Sequence, residues 1–400
     1  VPESSVPAGD GRATTAAARS PMSDVVSSDC RACGGRDLEI VLDLGRMPAA
    51  DHFPAATSPV RPEEAAHPLS MTLCRACGLA QLGADDTDTA EPRGVEPRAL
   101  RDQAADAVAR VASAGLLRGT TVREFGSPHG GSWLGLLAER GFTPTDGPAD
   151  VVLDSFGLMH EPDQRAAFTA RAAATAPGGV LLVQYHSLHT IVAGEQWNAL
   201  RHGHFAYYTL AVLRTLLRSA GLSAIAAWEF DLYGGTVLIA AVHDAAAETT
   251  VVDIDGPESL GRVLAREHGM DDPDLVRGLQ RAADRNTAAL RDRLEELAAQ
   301  GSTVYAYGAA SRAVALLCRA GVHRGLLAAV ADASPAKQGR RMPGTDVPII
   351  GPLELVAADP DRVLLTIPDL RAEVEETYPE LAGRWFIDEP SVISGERPIR

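Results

Sequence analysis

Cys30-Arg31-Ala32-Cys33-Gly34 and Cys74-Arg75-Ala76-Cys77-Gly78 form two C-x2-C pairs, separated by residues 34–73. Four thiolates in two such pairs suffice for a closed tetrahedral Zn²⁺ site. The glycine after each second cysteine permits a tight turn that aims backbone N–H groups at sulfur. A closed four-sulfur site leaves no position open for substrate, so its expected role is structural. The competing reading is four reduced thiols or a redox pair.

The second concentration of chemistry is histidine. Six of the eleven histidines fall between His129 and His204. Gln184, Tyr185, Arg201, Tyr207, Tyr208 and Tyr233 lie among or near them. An imidazole near its ordinary pKa moves protons in both directions. An Arg or Tyr among them could hold a substrate oxygen on which charge develops. His204, Arg201, Tyr208 and His186 are the expected catalytic set, and Gln184, Tyr185, His189 and Tyr233 the expected substrate contacts. Against this stands packing: His202 beside His204 reads as structural or solvent-facing, and Tyr207 and Tyr208 as core or rim.

These residues need elements to carry them. Val122-Arg123-Glu124-Phe125-Gly126-Ser127 reads as a strand running into a Gly-rich turn that ends at Gly130-Gly131, with a helix over 133–140. Such a unit sets backbone N–H groups and a helix N-terminus against a bound cofactor. Strands at 151–153, 180–184, 224–230 and 236–242 and helices at 97–117, 164–176 and 210–220 make the rest of an α/β sheet. Only residues 141–150 separate the first helix from the next buried strand. A dinucleotide-type site needs a second strand with an acid about 20 residues on, and there is no room for a strand, a helix and another strand. Residues 257–300 read as a charged, solvated linking helix. Ser302 to Ala313 is a second strand–turn–helix start, followed by strands at 327–330, 363–367 and 384–387. Ser311 at that helix start, with Lys337, Arg340 and Arg341 on the loop after Asp332, could meet an anionic substrate group.

The bulk numbers exclude some classes. A formal charge of −16 without a basic run speaks against nucleic acid. The apolar stretches are strand-length, which argues against a membrane span. Residues 1–27 read as a disordered leader with no signal pattern, and the expected location is the cytoplasm.

Taken together, the paired knuckles, Tyr307-Gly308-Ala309-Ala310-Ser311, and the loop from Asp332 through Lys337-Gln338-Gly339 to Pro343-Gly344 resemble the sugar C-methyltransferase family of deoxysugar biosynthesis. The likeness implies an α/β fold in four parts. These are a zinc-binding domain at 28–82, a class I methyltransferase-like Rossmann domain at 83–255, a linking helix at 256–300 and a C-terminal Rossmann-like domain at 301–400. It implies S-adenosylmethionine (SAM) held by Glu124, Gly126 and Gly130, and a nucleotide-linked 4-keto sugar methylated beside its ketone with a His as base. His204 matches the family's His-Phe step. Arg201 and Gly203 stand where the family has Tyr and Glu, Pro128-His129 replaces its Asn-Asp, and the acid-bearing ribose strand is missing. These departures gather in the cofactor pocket. They predict an enzyme of natural-product biosynthesis that works without SAM, by His-centred acid/base chemistry, as an isomerase, lyase or cyclase on a nucleotide-sugar or polyketide-derived small molecule. The alternatives are a SAM-dependent C-methyltransferase of a nucleotide-linked keto-deoxysugar and a non-catalytic scaffold of a biosynthetic complex.

Overall fold

The computed structural model describes residues 29–87, 96–127, 131–250, 252 and 256–387. The leader expected at 1–27 lies outside them. The first unit is built on an antiparallel pair, β1 (Leu38–Met47) and β2 (His67–Cys74), which runs from Leu38 opposite Cys74 to Met47 opposite His67 with irregularities between Ile40 and Leu42 and between Asp43 and Arg46. β3 (Ala80–Leu82), wholly buried, adds to β2. The knuckle glycines behave as their position demands. Gly34 and Gly78 have φ of 73° and 78°, where a side chain is strained, and each donates its N–H to the first cysteine of its pair at 2.8 Å.

The central unit follows in the order α1 (Arg98–Ser113), β4 (Thr121–Phe125), α2 (Leu134–Ala138), β5 (Thr143–Pro144), β6 (Ala149–Ser155), α3 (Gln164–Ala174), β7 (Thr175–His186), α4 (Leu188–Ala193), β8 (Ala206–Tyr207), α5 (Leu210–Ser219), β9 (Leu222–Phe230), β10 (Thr236–His243) and α6 (Asp244–Ala247). Its six-stranded sheet runs β5-β4-β6-β7-β10-β9. The first four strands are parallel, and β10 is antiparallel to both its neighbours. Val180–Tyr185 of β7 and Thr236–Val242 of β10 are continuously buried, as strands covered on both faces must be. Asp163 caps α3 by accepting from the N–H of Ala166 at 3.0 Å. β7 begins at Thr175 and passes through Pro177-Gly178-Gly179, which the sequence reading takes as a helix stop.

The expected gap is there. Where a second strand, a helix and a third strand belong, the chain has only β5, two exposed residues on the sheet edge, and then residues 145–148 before β6. β8 does not belong to this sheet at all. It pairs with β3, Ala80 opposite Tyr207, so the first unit's sheet runs β1-β2-β3-β8.

The linking region is α7 (Gly256–Arg266), α8 (Pro273–Val276) and α9 (Gly278–Ala299). It is not a solvated spacer. α9 buries Leu279, Ala282, Ala283, Leu290 and Leu294 in a core shared by Met71 and Leu82 of the first unit and Val304 and Val314 of the last. That last unit comprises β11 (Val304–Tyr307), α10 (Ser311–Arg319), β12 (Val330–Ala331), β13 (Ile349–Ile350), α11 (Pro352–Ala358), β14 (Arg362–Leu365), α12 (Arg371–Thr377) and β15 (Trp385–Ile387). Its parallel sheet has the doubly wound order β13-β12-β11-β14-β15. No helix among the described residues is long and apolar enough to cross a membrane.

Candidate functional site: a zinc cluster and an inter-domain cleft

The four cysteines converge. The Sγ atoms of Cys30, Cys33, Cys74 and Cys77 all lie within 4.8 Å of one another, with Cys30–Cys77 at 3.5 Å and Cys33–Cys74 at 3.6 Å. A tetrahedral ion with Zn–S bonds of about 2.3 Å needs sulfurs about 3.8 Å apart. The Gly35 N–H points at the Cys33 sulfur at 3.4 Å. The cluster is consistent with a structural zinc site. The expected content is one zinc per chain by metal analysis, lost when Cys74 and Cys77 become Ser.

A separate cleft of roughly 1390 Å³, part of it open to solvent, lies between the carboxyl ends of the central strands and the start of α10. Glu124 and Gly126 enter from β4, Phe156 from β6, His186 from β7, Arg201 and His204 from the loop before β8, and Ser311 and Arg312 from α10. Both carboxylate oxygens of Glu124 are engaged at the next helix start: Oε2 accepts from the Ser132 hydroxyl at 2.6 Å and Oε1 from the Trp133 N–H at 2.7 Å. Phe156 and Tyr233 face each other with rings 5.9 Å apart. Both hold left-handed backbone, φ 60° and 56°. Two strained non-glycine residues meeting in one cleft cost about 1–3 kcal/mol each, strain that gathers at functional sites.

The polar centre is a pair. The Arg201 Nε–H donates to His204 Nε2 at 2.8 Å. His160 stands edge-on to His204 at 4.5 Å and donates from Nδ1 to the Gly203 carbonyl at 2.9 Å. His204 is 4% exposed. Burial first, then the Arg312 and Arg201 guanidiniums, push His186 down to about 3, so it stays neutral. Its Nε2 makes no hydrogen bond among the described residues. Arg312 donates to Asn198 Oδ1 at 3.2 Å and faces Asp369 at 4.0 Å, while burial lowers its pKa. Lys337, buried, also lines the cleft and donates Nζ to the Ala309 carbonyl at 2.9 Å.

Not every expected site residue arrives there. His204, Arg201, His186, Tyr233, Ser311, Lys337, Glu124 and Gly126 line the cleft. Gly130 and His129 lie outside the described residues. Tyr208 points to the opposite side of its strand from cleft-lining Tyr207. It donates to Gln164 Oε1 within the core. Tyr185 is turned away likewise and donates to Glu267 at 3.2 Å. Gln184 lies beneath the cleft floor, where its Oε1 accepts from the Ser155 hydroxyl at 2.8 Å. His189 opens on a separate small cavity beside Glu229 and Glu267. Arg340 is a tether, donating to the Phe53 carbonyl at 2.7 Å and that of Ala336 at 2.9 Å. Sequence reasoning missed Phe156, Arg312 and Asp369. The first follows a strand end, where ligand contacts cluster in open α/β sheets, and the second sits in the first turn of α10. Asp369 carries no local signal.

Three family models match the chain: a putative zinc binding domain over 30–86, a methyltransferase domain over 97–227 and a C-methyltransferase C-terminal domain over 231–388. The C-methyltransferase NovU of Streptomyces niveus is 27% identical over 439 aligned residues, covering 94% of this chain and 100% of NovU. That alignment is longer than the 400-residue chain, so NovU has residues to which nothing here corresponds. Among solved structures, an O-methyltransferase family protein from Burkholderia thailandensis has a TM-score of 0.30 at 18% identity, covering 36% of this chain and 56% of its own. The magnesium protoporphyrin IX methyltransferase of Synechocystis PCC 6803 with bound SAH has a TM-score of 0.27 at 16% identity, covering 38% of this chain and 90% of its own.

Proposed function

We propose, for a chain that carries the zinc-binding, methyltransferase and C-methyltransferase C-terminal domains in the architecture of NovU, that the cleft turns a keto substrate into its enolate. The observation that carries this reading is the Arg201–His204 pair in one cleft with His186, whose buried Nε2 has no hydrogen-bond partner among the described residues. By accepting from Nε, His204 aims the terminal nitrogens of Arg201. That guanidinium, with Arg312, would hold the carbonyl oxygen as charge develops on it. The C–H beside the carbonyl breaks, its electron pair moves into the C=C–O⁻ unit, and the proton goes to His186 Nε2. The negative charge formed beside it raises the basicity of that imidazole at the moment it is needed. Arg312, Lys337 and the start of α10 favour a substrate with a further anionic group, as in a nucleotide-linked keto sugar.

Likeness to NovU along its whole length supports C-methylation as the fate of the enolate, with SAM supplying the methyl group. The fit of this crevice to SAM is divided. Glu124 and Gly126 stand at the strand end and Asp146 follows β5 by two residues, but β5 is only two residues long and residues 145–148 lead straight to β6, without the helix and third strand that would complete the adenosine side. That observation favours a second reading, in which the enolate is reprotonated, eliminates a group or closes a ring without a donor. Titration calorimetry of the full chain with SAM and with its demethylated product separates the two. Micromolar binding supports methyl transfer; no heat at millimolar ligand sinks it and leaves the donor-free reaction.

A further inference from the structure

The zinc cluster and the cleft are two sites, but one short sheet joins them. β2 ends at Cys74, the knuckle turn carries Cys77, and β3 starts three positions later at Ala80. β3 pairs with β8, the strand that begins two residues after His204. The Leu82 N–H donates to the Phe205 carbonyl at 3.2 Å. Buried Gln81 ties this strand to the other knuckle, accepting from the Arg31 N–H at 2.9 Å and donating to the Asp29 carbonyl at 3.3 Å. The Arg31 guanidinium lies over the Phe205 ring at 4.8 Å. On the near side of His204, the Gly203 N–H donates to Asp85 Oδ2 at 2.7 Å, and His202 Nε2 donates to the Pro68 carbonyl at 3.1 Å. Residues 202–207 thus take many of their fixed contacts from the zinc-binding unit and the loop that follows it. Their ties to the central unit include the Phe205 N–H on the Met159 carbonyl at 2.7 Å, His160 on Gly203 and edge-on to His204, and the Tyr207 hydroxyl on the Ala199 carbonyl at 3.2 Å. A two-residue strand contributes too little pairing to stay in place alone.

We propose that the zinc site is the clamp that holds residues 201–207 in their cleft-lining conformation, so that metal occupancy decides whether the Arg201–His204 pair is assembled. The four cysteines close the two turns that present β3 and Arg31. Without the ion, four thiols at these separations have no bond holding them together. β3 and the Arg31 loop would then loosen, and β8 with them. One face of the central sheet and one face of the C-terminal sheet pack in cores that contain no knuckle residue, which should keep those sheets folded even though their opposite faces share cores with the zinc-binding unit. The inference is independent of what becomes of the enolate.

The test is hydrogen exchange on the full chain, zinc-loaded and after chelation. The amides of residues 203–207 are expected to exchange roughly tenfold faster or more without metal, together with those of 72–82, while those of Val304–Tyr307 and Val180–Tyr185 keep their protection. Faster exchange at 72–82 with 203–207 unchanged would overturn the proposal. So would loss of protection throughout the chain, because zinc would then hold the whole fold rather than this segment. A second variant leaves the metal ligands alone. Asp85→Ala should retain one zinc per chain yet speed exchange at 203–204; full protection there would count against the clamp.

Discussion

Arg171→Met is expected to destabilise the central domain by about 3–5 kcal/mol, because it strands a buried carboxylate. Arg171 is 4% exposed and Asp154 1% exposed. The guanidinium donates to Asp154 Oδ2 at 2.9 Å and to Glu161 Oε1 at 3.0 Å, and lies 4.1 Å over the Phe125 ring. Burial holds the Asp154 pKa above its ordinary value even with Arg171 beside it. A carboxyl with a raised folded pKa binds its proton more readily folded than unfolded. Its charged form therefore costs stability above that pKa, and the cost is relieved as pH falls through it. Taking away Arg171 raises the pKa further, so the variant's deficit should be larger at neutral than at acid pH. Denaturant unfolding at the two pH values measures this. Adding Asp154→Asn should restore part of the loss, since the stranded charge is gone. A deficit below about 1 kcal/mol, or one equal at both pH values, would show that the pair is not acting as a buried ion pair. The consequence reaches the cleft. Asp154 also accepts the N–H groups of Gly157 and Leu158 at 2.8 and 2.9 Å, and so closes the turn that presents Phe156.

What could be read from the sequence follows a physical division. The zinc ligands were legible because the chemistry lies in residue type and local spacing. The short sheet was legible because a strand, a helix and a strand need a minimum length of chain, and residues 141–150 do not supply it. β8 was not legible. Two residues carry no period, and their partner β3 lies more than 120 positions away. α9 misled for a different reason: its buried stripe mixes three leucines with Ala282, Ala283, Asn286 and Thr287, and small and polar residues between charged ones look like a solvated face. The placement of Tyr207 and Tyr208, and of Tyr185 and His186, rests on alternation along a strand. A one-position uncertainty in where each strand starts exchanges the cleft face for the core face, and that exchange is why two tyrosines expected at the site are in the interior. Arg340 shows the limit for charged loop residues. A cation near a glycine-rich turn serves a ligand or a carbonyl equally well, and here the Phe53 carbonyl, 287 positions away, takes it.

Arg201→Gln is expected to lower kcat/KM for enolisation by about 10²- to 10³-fold, the usual loss when a donor to a developing oxyanion is removed. The effect should fall mainly on kcat, since the interaction strengthens as charge forms. The readout is exchange of the hydrogen beside the ketone with deuterated solvent, followed by NMR on a nucleoside-diphosphate-linked 4-keto sugar. It requires no methyl donor, so it reports the shared first step of either fate. His204→Ala distinguishes positioning from proton transfer. With its Nε2 accepting from Arg201 at 2.8 Å, His204 acts through the guanidinium, and its loss should cost about tenfold through a misaimed Arg201. The double variant should then be no slower than Arg201→Gln alone, because there is no longer a guanidinium to aim. Two losses that multiply would mean that His204 works independently, as the base itself. His186 would then lose its assigned role, which His186→Asn checks from the other side: an exchange rate within a few-fold of the parent chain would remove the imidazole as proton acceptor, whereas a fall of about 10²-fold or more is what general-base loss predicts.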